Sequence, residues 1–349
     1  MDGGDRLVAE QVLVGQDVRP DTTRSDTTVY RLEGIRVEAT RAVTTPGGAS
    51  AIEVTPDSLV LPVAPTTEEL FREIPTLHVR TNSRGEAEVT VRGSESRQVA
   101  ILVDGVPLTL GWDARTDVSV LPAAAVSGLT MVRGLSSILN GPNTLGGVVE
   151  MSVAHGLRHP PNPSLSATAG IDDRGGYGTS ATGELPFSTG GGEGTIRFGA
   201  QLRDNPGFPL PEGVQEPVHA DDGLRLNTDS ENLNGFFALR HVTDRGAWTS
   251  VSASAFQSER GIAAELGAEE PRLWRYPNIR RTILALSGGT GDRETPWGRG
   301  DLEASLGVDL GRTEIRSYST RAYDEVAGSE NGNARTLTFR LLGDHTLTD

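Results

Sequence analysis

Residues 70–153 read LFREIPTLHVRTNSRGEAEVTVRGSESRQVAILVDGVPLTLGWDARTDVSVLPAAAVSGLTMVRGLSSILNGPNTLGGVVEMSV. Short apolar runs in this stretch stop repeatedly at glycine. Val89-Thr90-Val91 runs into Arg92-Gly93, Val99–Val103 into Asp104-Gly105, and Leu129–Val132 into Arg133-Gly134. Each run has the β-branched and aliphatic composition of a short buried strand. Each glycine offers a tight turn or a positive φ. Asp104-Gly105 reads as a hairpin turn of the hydrogen-bonding Asp-Gly kind, with no catalytic role. Leu121–Val126 predicts a short helix with Pro122 near its first turn. The stretch is therefore an α+β unit, a short mixed sheet with short helices and no long amphipathic helix.

Upstream, Glu68–Ile74 predicts a helix capped by Thr66 or Thr67, with glutamates in its first turn and Pro75 ending it. Residues 1 to about 30 are polar, the composition of a flexible arm. Downstream, Pro160, Pro161 and Pro163 mark a linker. Beyond it the pattern changes to stretches of strict alternation: Leu165–Ile171, Gly178–Phe187, Thr195–Arg203, Leu233–Val242, Trp248–Gln257, Arg281–Thr290, Asp301–Leu310 and Arg335–Leu347. In the third, Ile196, Phe198, Ala200 and Leu202 face one way, and Thr195, Arg197, Gln201 and Arg203 the other. Such strands have one apolar and one wet face, and their lengths suit a tilted membrane crossing. Long connections (Asp204–Asn232, Ser258–Arg280, Gly311–Ala334) interleave with short ones (Thr243–Ala247, Gly291–Gly300), as loops and turns do in a transmembrane barrel. Phe187, Trp248 and Trp274 lie near strand ends, where interface girdles sit.

Composition narrows the function. The 349 residues carry a formal net charge of −15, which argues against nucleic acid as a partner. With 36% hydrophobic residues and a mean hydropathy of −0.30, no run approaches the roughly 18 apolar residues of a membrane helix, whereas barrel strands remain open. Cysteine is absent, so there is neither a disulfide framework nor a thiolate metal site. His155 and His159 precede Pro160 in a non-helical setting, and Asp221, Asp222, Asn227, Asp229 and Glu231 lack the spacing of a Ca²⁺ loop. No metal, cofactor or enzyme activity is expected, since no GxSxG, phosphate-binding loop or HExxH occurs.

The order of the words in residues 69–149 resembles the plug domain of TonB-dependent outer-membrane receptors. The matching pieces are Glu69–Pro75, Val91-Arg92-Gly93, Leu102-Val103-Asp104-Gly105-Val106-Pro107, Leu121-Pro122, Val132-Arg133-Gly134, and Asn140–Val149. Thr76, Leu135 and Asn140 depart from the family pattern, where glycine, proline and tyrosine are usual. The resemblance implies three parts: an arm with a TonB box over 1–41, a plug over 42–155, and over 156–349 the first eight or so antiparallel strands of an incomplete transmembrane β-barrel. Because the family closes its barrel with many more strands, the chain is expected to be the front of a receptor or a truncated product. No signal peptide is visible in MDGGDRLVAEQ.

By resemblance, the protein takes up a scarce solute at the outer membrane of a Gram-negative-type bacterium, most often a ferric siderophore or similar metal chelate. The alternatives are a transport-incompetent receptor fragment and a soluble β-rich ligand-binding protein. The implied partners are a TonB-type energy-transducing protein with its ExbB/ExbD-type motor, outer-membrane lipid and a small-molecule ligand. Leu32, Glu33, Gly34, Ile35, Arg36 and Val37 form the candidate TonB box, which would pair with a sheet edge of its partner; the alternative reading is the first plug strand. Arg92 and Arg133 are candidates for plug–barrel contact. Arg80, Asn82, Arg84, Trp112, Asp113 and Arg115, on loops facing outward, are candidates for ligand contact, and Gly93, Asp104, Gly105, Gly134, Gly146 and Gly147 form the plug turns.

Overall fold

In the computed structural model, residues 51–108, 115–133, 144–155, 157, 159–160, 162–210, 213, 223–296 and 298–347 are described. The first part holds β1 (Ala51–Val54), α1 (Thr67–Arg72), β2 (Leu77–Thr81), β3 (Ala87–Val91), β4 (Val99–Val103), β5 (Val106–Leu108), β6 (Gly128–Arg133) and β7 (Gly147–Ser152). A five-stranded sheet takes the order β1-β6-β7-β4-β5, with β4 and β7 parallel and the other pairs antiparallel. The β2–β3 hairpin stands apart as a two-stranded sheet. Leu70, Phe71, Ile101, Met131, Val149 and Met151 fill the core between α1 and the strands. Of the runs that stop at glycine, Val99–Val103 and Leu129–Val132 are thus strands of the mixed sheet, and Val89–Val91 belongs to the separate antiparallel hairpin.

Local chemistry sets the ends of these elements. Thr66 caps α1: its Oγ1 accepts from the Glu69 N–H at 3.2 Å, and the Glu69 carboxylate accepts from the Thr66 N–H at 2.8 Å. This capping box satisfies two otherwise orphaned donors. Thr67 is instead buried and donates to the Leu121 carbonyl at 2.7 Å. Asp104 and Gly105 turn β4 into β5 with φ of 46° and 79°, the two positive values a two-residue hairpin of this hand requires. The helix expected over Leu121–Val126 is shorter, a single 3₁₀ turn at Ala123–Ala125 that follows another at Val118–Val120. Two turns of this length bury Val118, Val120, Ala123 and Ala125 without the hydrogen bonding of a full helix.

The second part is a wall of antiparallel strands. β8 (Ser164–Ile171), β9 (Tyr177–Thr189), β10 (Gly192–Asn205), β11 (Ser230–Thr243), β12 (Trp248–Ile262), β13 (Trp274–Gly289), β15 (Gly298–Tyr318) and β16 (Val326–Leu347) pair in that succession, and a three-residue β14 (Arg293–Thr295) joins β15 at its start. The sheet is open, with β8 and β16 at its edges. Every alternating stretch of the sequence is one of these strands. Most run longer than their apolar alternation, up to the 22 residues of β16. Residues 311–318 and 326–334 in particular are strand, where the sequence predicts loop. They are mostly polar, with Ile315, Tyr318 and Val326 too isolated to alternate, so the signal that marks a strand by its greasy side vanishes while the ladder continues. The connection there shrinks to residues 319–325, whereas 206–229 and 263–273 remain long.

The two faces of the wall differ in chemistry. The register aligns Leu185, Ile196, Leu239, Val251, Leu286, Leu306 and Phe339 into one apolar row across seven strands. Most of these side chains are exposed, and Leu233, Phe237, Leu284, Leu310 and Leu337 extend the belt. The opposite face is polar and buried: Thr195, Gln201, Asn234, Ser250, Ser252, Ser254, Ser287, Ser305 and Asp309 lie under the plug. Gly307 belongs to this face, and a Cβ there would overlap Val106, so the glycine lets β5 lie against the wall. No described helix is long and apolar enough to cross a membrane. The exposed belt is an outward apolar band of the kind that transmembrane barrel strands carry. Trp248, expected in an interface girdle, turns inward instead. It is buried against the plug residue His155, with ring centroids 4.6 Å apart, and the Arg240 guanidinium lies over its ring at 4.5 Å.

Candidate functional site: the seam between plug and wall

At the loop end of the plug, four polar side chains converge on one buried carboxylate. Glu88 on β3 accepts two bonds from Arg80 at 3.0 and 2.8 Å, one from Asn82 at 2.9 Å, and others from Ser96 and Arg115. Burial acts to raise the Glu88 carboxyl, but Asn82, Arg80 and Arg115 outweigh it and hold the group below the usual range. Of the six residues singled out as ligand contacts, three therefore meet at one point. Arg84 lies beside them, its guanidinium 5.4 Å from the Trp274 ring on the wall. Trp112 and Asp113 fall outside the described residues.

The seam is held by side chains of the wall's wet face. Arg197 donates to the carbonyls of Ala125 and Ala124 at 2.8 and 3.0 Å. Gln201 donates to the Pro65 carbonyl at 2.8 Å, and Arg203 to Glu69 at 2.7 Å and the Ala64 carbonyl at 3.3 Å. On β12, Arg260 donates to Ser119 Oγ at 2.6 Å and to Asp117 at 3.2 Å. At this end of the seam the cations thus come from the wall and the acceptors from the plug. Arg92 sits exposed at a left-handed turn with φ 52°, and no described residue hydrogen-bonds or ion-pairs with its side chain. Arg133 ends β6, and the candidate box 32–37 and Gly134 fall outside the described residues. Gly93 has φ 77°, Gly147 has φ 145°, and Gly146 packs so closely on Ser94 that a Cβ would overlap it. Sequence alternation puts Arg197, Gln201 and Arg203 on the wet face; what they grip is set by a chain segment some 70 to 140 positions away.

The other end of the seam holds a second cluster. The Asp104 carboxylate, buried at 1% exposure, accepts from the N–H groups of Val153, Ala154 and His155 at 2.8 to 3.2 Å. The aspartate of the hairpin turn therefore also caps the chain where it leaves β7. His155 Nε2 then reaches Glu303 on the wall at 2.8 Å, with Glu150 3.8 Å from Nδ1. Burial acts to lower the imidazole, but the bond to Glu303 and the charges of Glu303, Glu150 and Asp104 raise it above its ordinary value. The charged form is thus favoured by folding. Its contribution is full below the unfolded pKa and is lost as pH rises through the raised folded one. Amide exchange at 153–155, corrected for intrinsic rate, should accelerate with rising pH across the neutral range, and His155→Gln should abolish that step; a pH-independent profile in the parent protein would contradict it.

Between the plug and the loop end of the wall lies a cavity of about 580 Å³. The plug lines it with Thr66, Glu68, Glu69 and Arg72 of the α1 region and with Asn82 and Ser83 at the β2–β3 turn. The wall contributes Arg203, Asn232, Arg260 and Ile262, with Phe208 and Arg225 from the long 206–229 connection. This is a concave site with apolar patches and convergent polar groups, of a size that takes a small organic solute. Among the described residues, no cluster of side chains is arranged to hold a metal ion.

A plug seated against a polar-faced, apolar-backed strand wall, with a cavity at the loop end, is the architecture of a plug domain joined to membrane-type barrel strands. Residues 41–148 match the TonB-dependent receptor plug domain. The vitamin B12 transporter BtuB of Vibrio cholerae serotype O1 is 31% identical over 305 residues, 80% of this chain and 49% of its own length. That of Photobacterium profundum is 27% identical over 226 residues, 60% of this chain and 36% of its own. Among solved structures, the copper transporter OprC superposes with a TM-score of 0.64 at 14% identity, over 88% of this chain and 45% of that one. The siderophore receptor PirA of Acinetobacter baumannii does so with 0.58 at 17%, over 85% and 45%. The chain belongs to the TonB-dependent outer-membrane receptors, as a plug domain followed by the N-terminal part of the β-barrel. It spans about half the length, or less, of the relatives it matches.

Proposed function

We propose that the receptor to which this chain belongs captures a scarce solute at the cell surface and admits it to the periplasm by displacing the plug. The observation that carries this reading is the cavity of about 580 Å³ whose lining is shared by plug and wall. A solute seated there touches the element that obstructs the lumen, so passage requires the plug to move. The long connections then face outside and the short turns face the periplasm. The exposed apolar belt favours a lipid setting over a soluble sandwich, which would bury such a row. Vitamin B12, named for the sequence relatives, joins the ferric siderophore as a candidate solute. Energy would come from a TonB-type partner that adds a strand to an extended segment ahead of the plug, for which 32–37 is the candidate.

The test is uptake of labelled cyanocobalamin and of a ferric siderophore by cells carrying the receptor, with and without a protonophore. Saturable uptake of one of them, abolished by the protonophore, is the expected result. Surface binding without energy-dependent entry, or no binding at all, would overturn the proposal.

A further inference from the structure

We propose that Arg203 and Arg260 are shared between the solute and the plug, so that an anionic solute in the cavity releases the plug by competing for its two wall-side anchors. This rests on reading the cavity as the solute site. Both guanidiniums line that cavity. Both also hold the plug: Arg203 through Glu69 and the Ala64 carbonyl, Arg260 through Asp117 and Ser119. Other charged groups of the lining are committed elsewhere, Arg72 to Glu68, Asp229 to Arg275, Glu265 to Arg272 and Arg225 to the Ala264 carbonyl. Arg260 keeps a buried Nε–H with no hydrogen-bond partner, a donor that a further acceptor can take. A guanidinium binds a phosphate or carboxylate through a planar fork, and a fork already engaged by a plug carboxylate must turn to do so. The solute class this selects bears anionic oxygens, whether phosphodiester, carboxylate or catecholate.

The segments that would loosen are set by the contacts. Glu69 lies in α1, and its carboxylate is also the second half of the Thr66 capping box. Asp117 caps the turn at Val118–Val120 and accepts from the Ala87 N–H, tying that turn to β3. Ala64, whose carbonyl Arg203 holds, is a non-glycine residue at φ 51°, a conformation that needs support from its surroundings. Release of Arg203 and Arg260 therefore frees residues 64–72 and 117–121, while the Asp104 cap and the His155 contact at the other end of the seam are untouched. Coupling of this kind is reciprocal: whatever weakens the plug's hold on the arginines strengthens the solute's.

Glu69→Gln and Asp117→Asn separate competition from mere support. Each keeps an acceptor oxygen for its local cap, since glutamine also closes a capping box, but neither offers a carboxylate to the arginine. In the detergent-purified receptor, each variant should bind whichever of cyanocobalamin or ferric enterobactin the parent binds about tenfold more tightly. In the parent, bound solute should accelerate amide exchange at 64–72 and 117–121 and leave 147–155 unchanged. Equal or weaker binding by both variants, or no acceleration in the parent, would overturn the sharing. If the parent binds neither solute, the uptake reading loses its named candidates, and pyrophosphate at matched ionic strength decides this one. Faster exchange at the two segments supports competition for the arginines, and unchanged exchange ends it.

Discussion

Replacing Asp104 with alanine is expected to destabilise the plug by about 3 kcal/mol or more, because three N–H groups, two of them buried and one half-buried, lose their acceptor and each unsatisfied buried donor costs about 1–3 kcal/mol. The carboxylate is nearly fully enclosed and accepts four hydrogen bonds from the backbone of residues 153–155. No other described side-chain acceptor bonds to those N–H groups. The substitution also leaves a Cβ-bearing residue at φ 46°. Asp104→Gly isolates the two effects, since glycine adopts that φ freely but cannot cap. Asp104→Asn keeps one acceptor oxygen and should lose only part of the stability. Calorimetry of the purified receptor, with amide exchange at 153–155, provides the measurement. An alanine variant within about 0.5 kcal/mol of the parent, the range of ordinary surface substitutions, would show that the cap contributes little.

A second large effect is expected in the wall. Arg281 on β13 and Asp309 on β15 form a two-pronged pair, with Nε to Oδ1 at 3.0 Å and Nη2 to Oδ2 at 2.6 Å, each side chain 7% exposed. Arg281→Met leaves a buried carboxylate without its partner, for which the expected loss is about 3–5 kcal/mol. Arg281→Met combined with Asp309→Leu should regain most of it, because two apolar groups of similar volume need no solvation. The cycle is read by denaturant unfolding in detergent. If the double variant is as unstable as the single one, the pair acts through packing around the narrow pocket it shares with Arg260 and Tyr276, not through charge.

The sequence by itself determined three strands of the plug (β3, β4 and β6), the Asp-Gly turn and the wall of alternating strands. These depend on neighbours in the chain: a β-branched run stopped by glycine, a threonine three residues before a glutamate, an apolar residue at every second position. Strand ends were legible only as far as the apolar face went. Residues 311–318 and 326–334 carry no such face, because beyond the apolar belt the paired strands bear mostly polar side chains on both sides.

Tertiary structure alone decided how the parts grip one another. Local pattern places Arg203 on a wet face; only the packed chain brings it to Glu69, 134 positions earlier. Asp104 reads as a turn residue until β7 arrives beside β4 and presents three N–H groups to it. Trp248 has the composition of a girdle residue, yet the register turns it toward His155. A long-range contact leaves no periodic mark in one sequence, since its energy depends on two segments meeting and not on the spacing within either. The seam that would gate the solute is built almost wholly from such contacts.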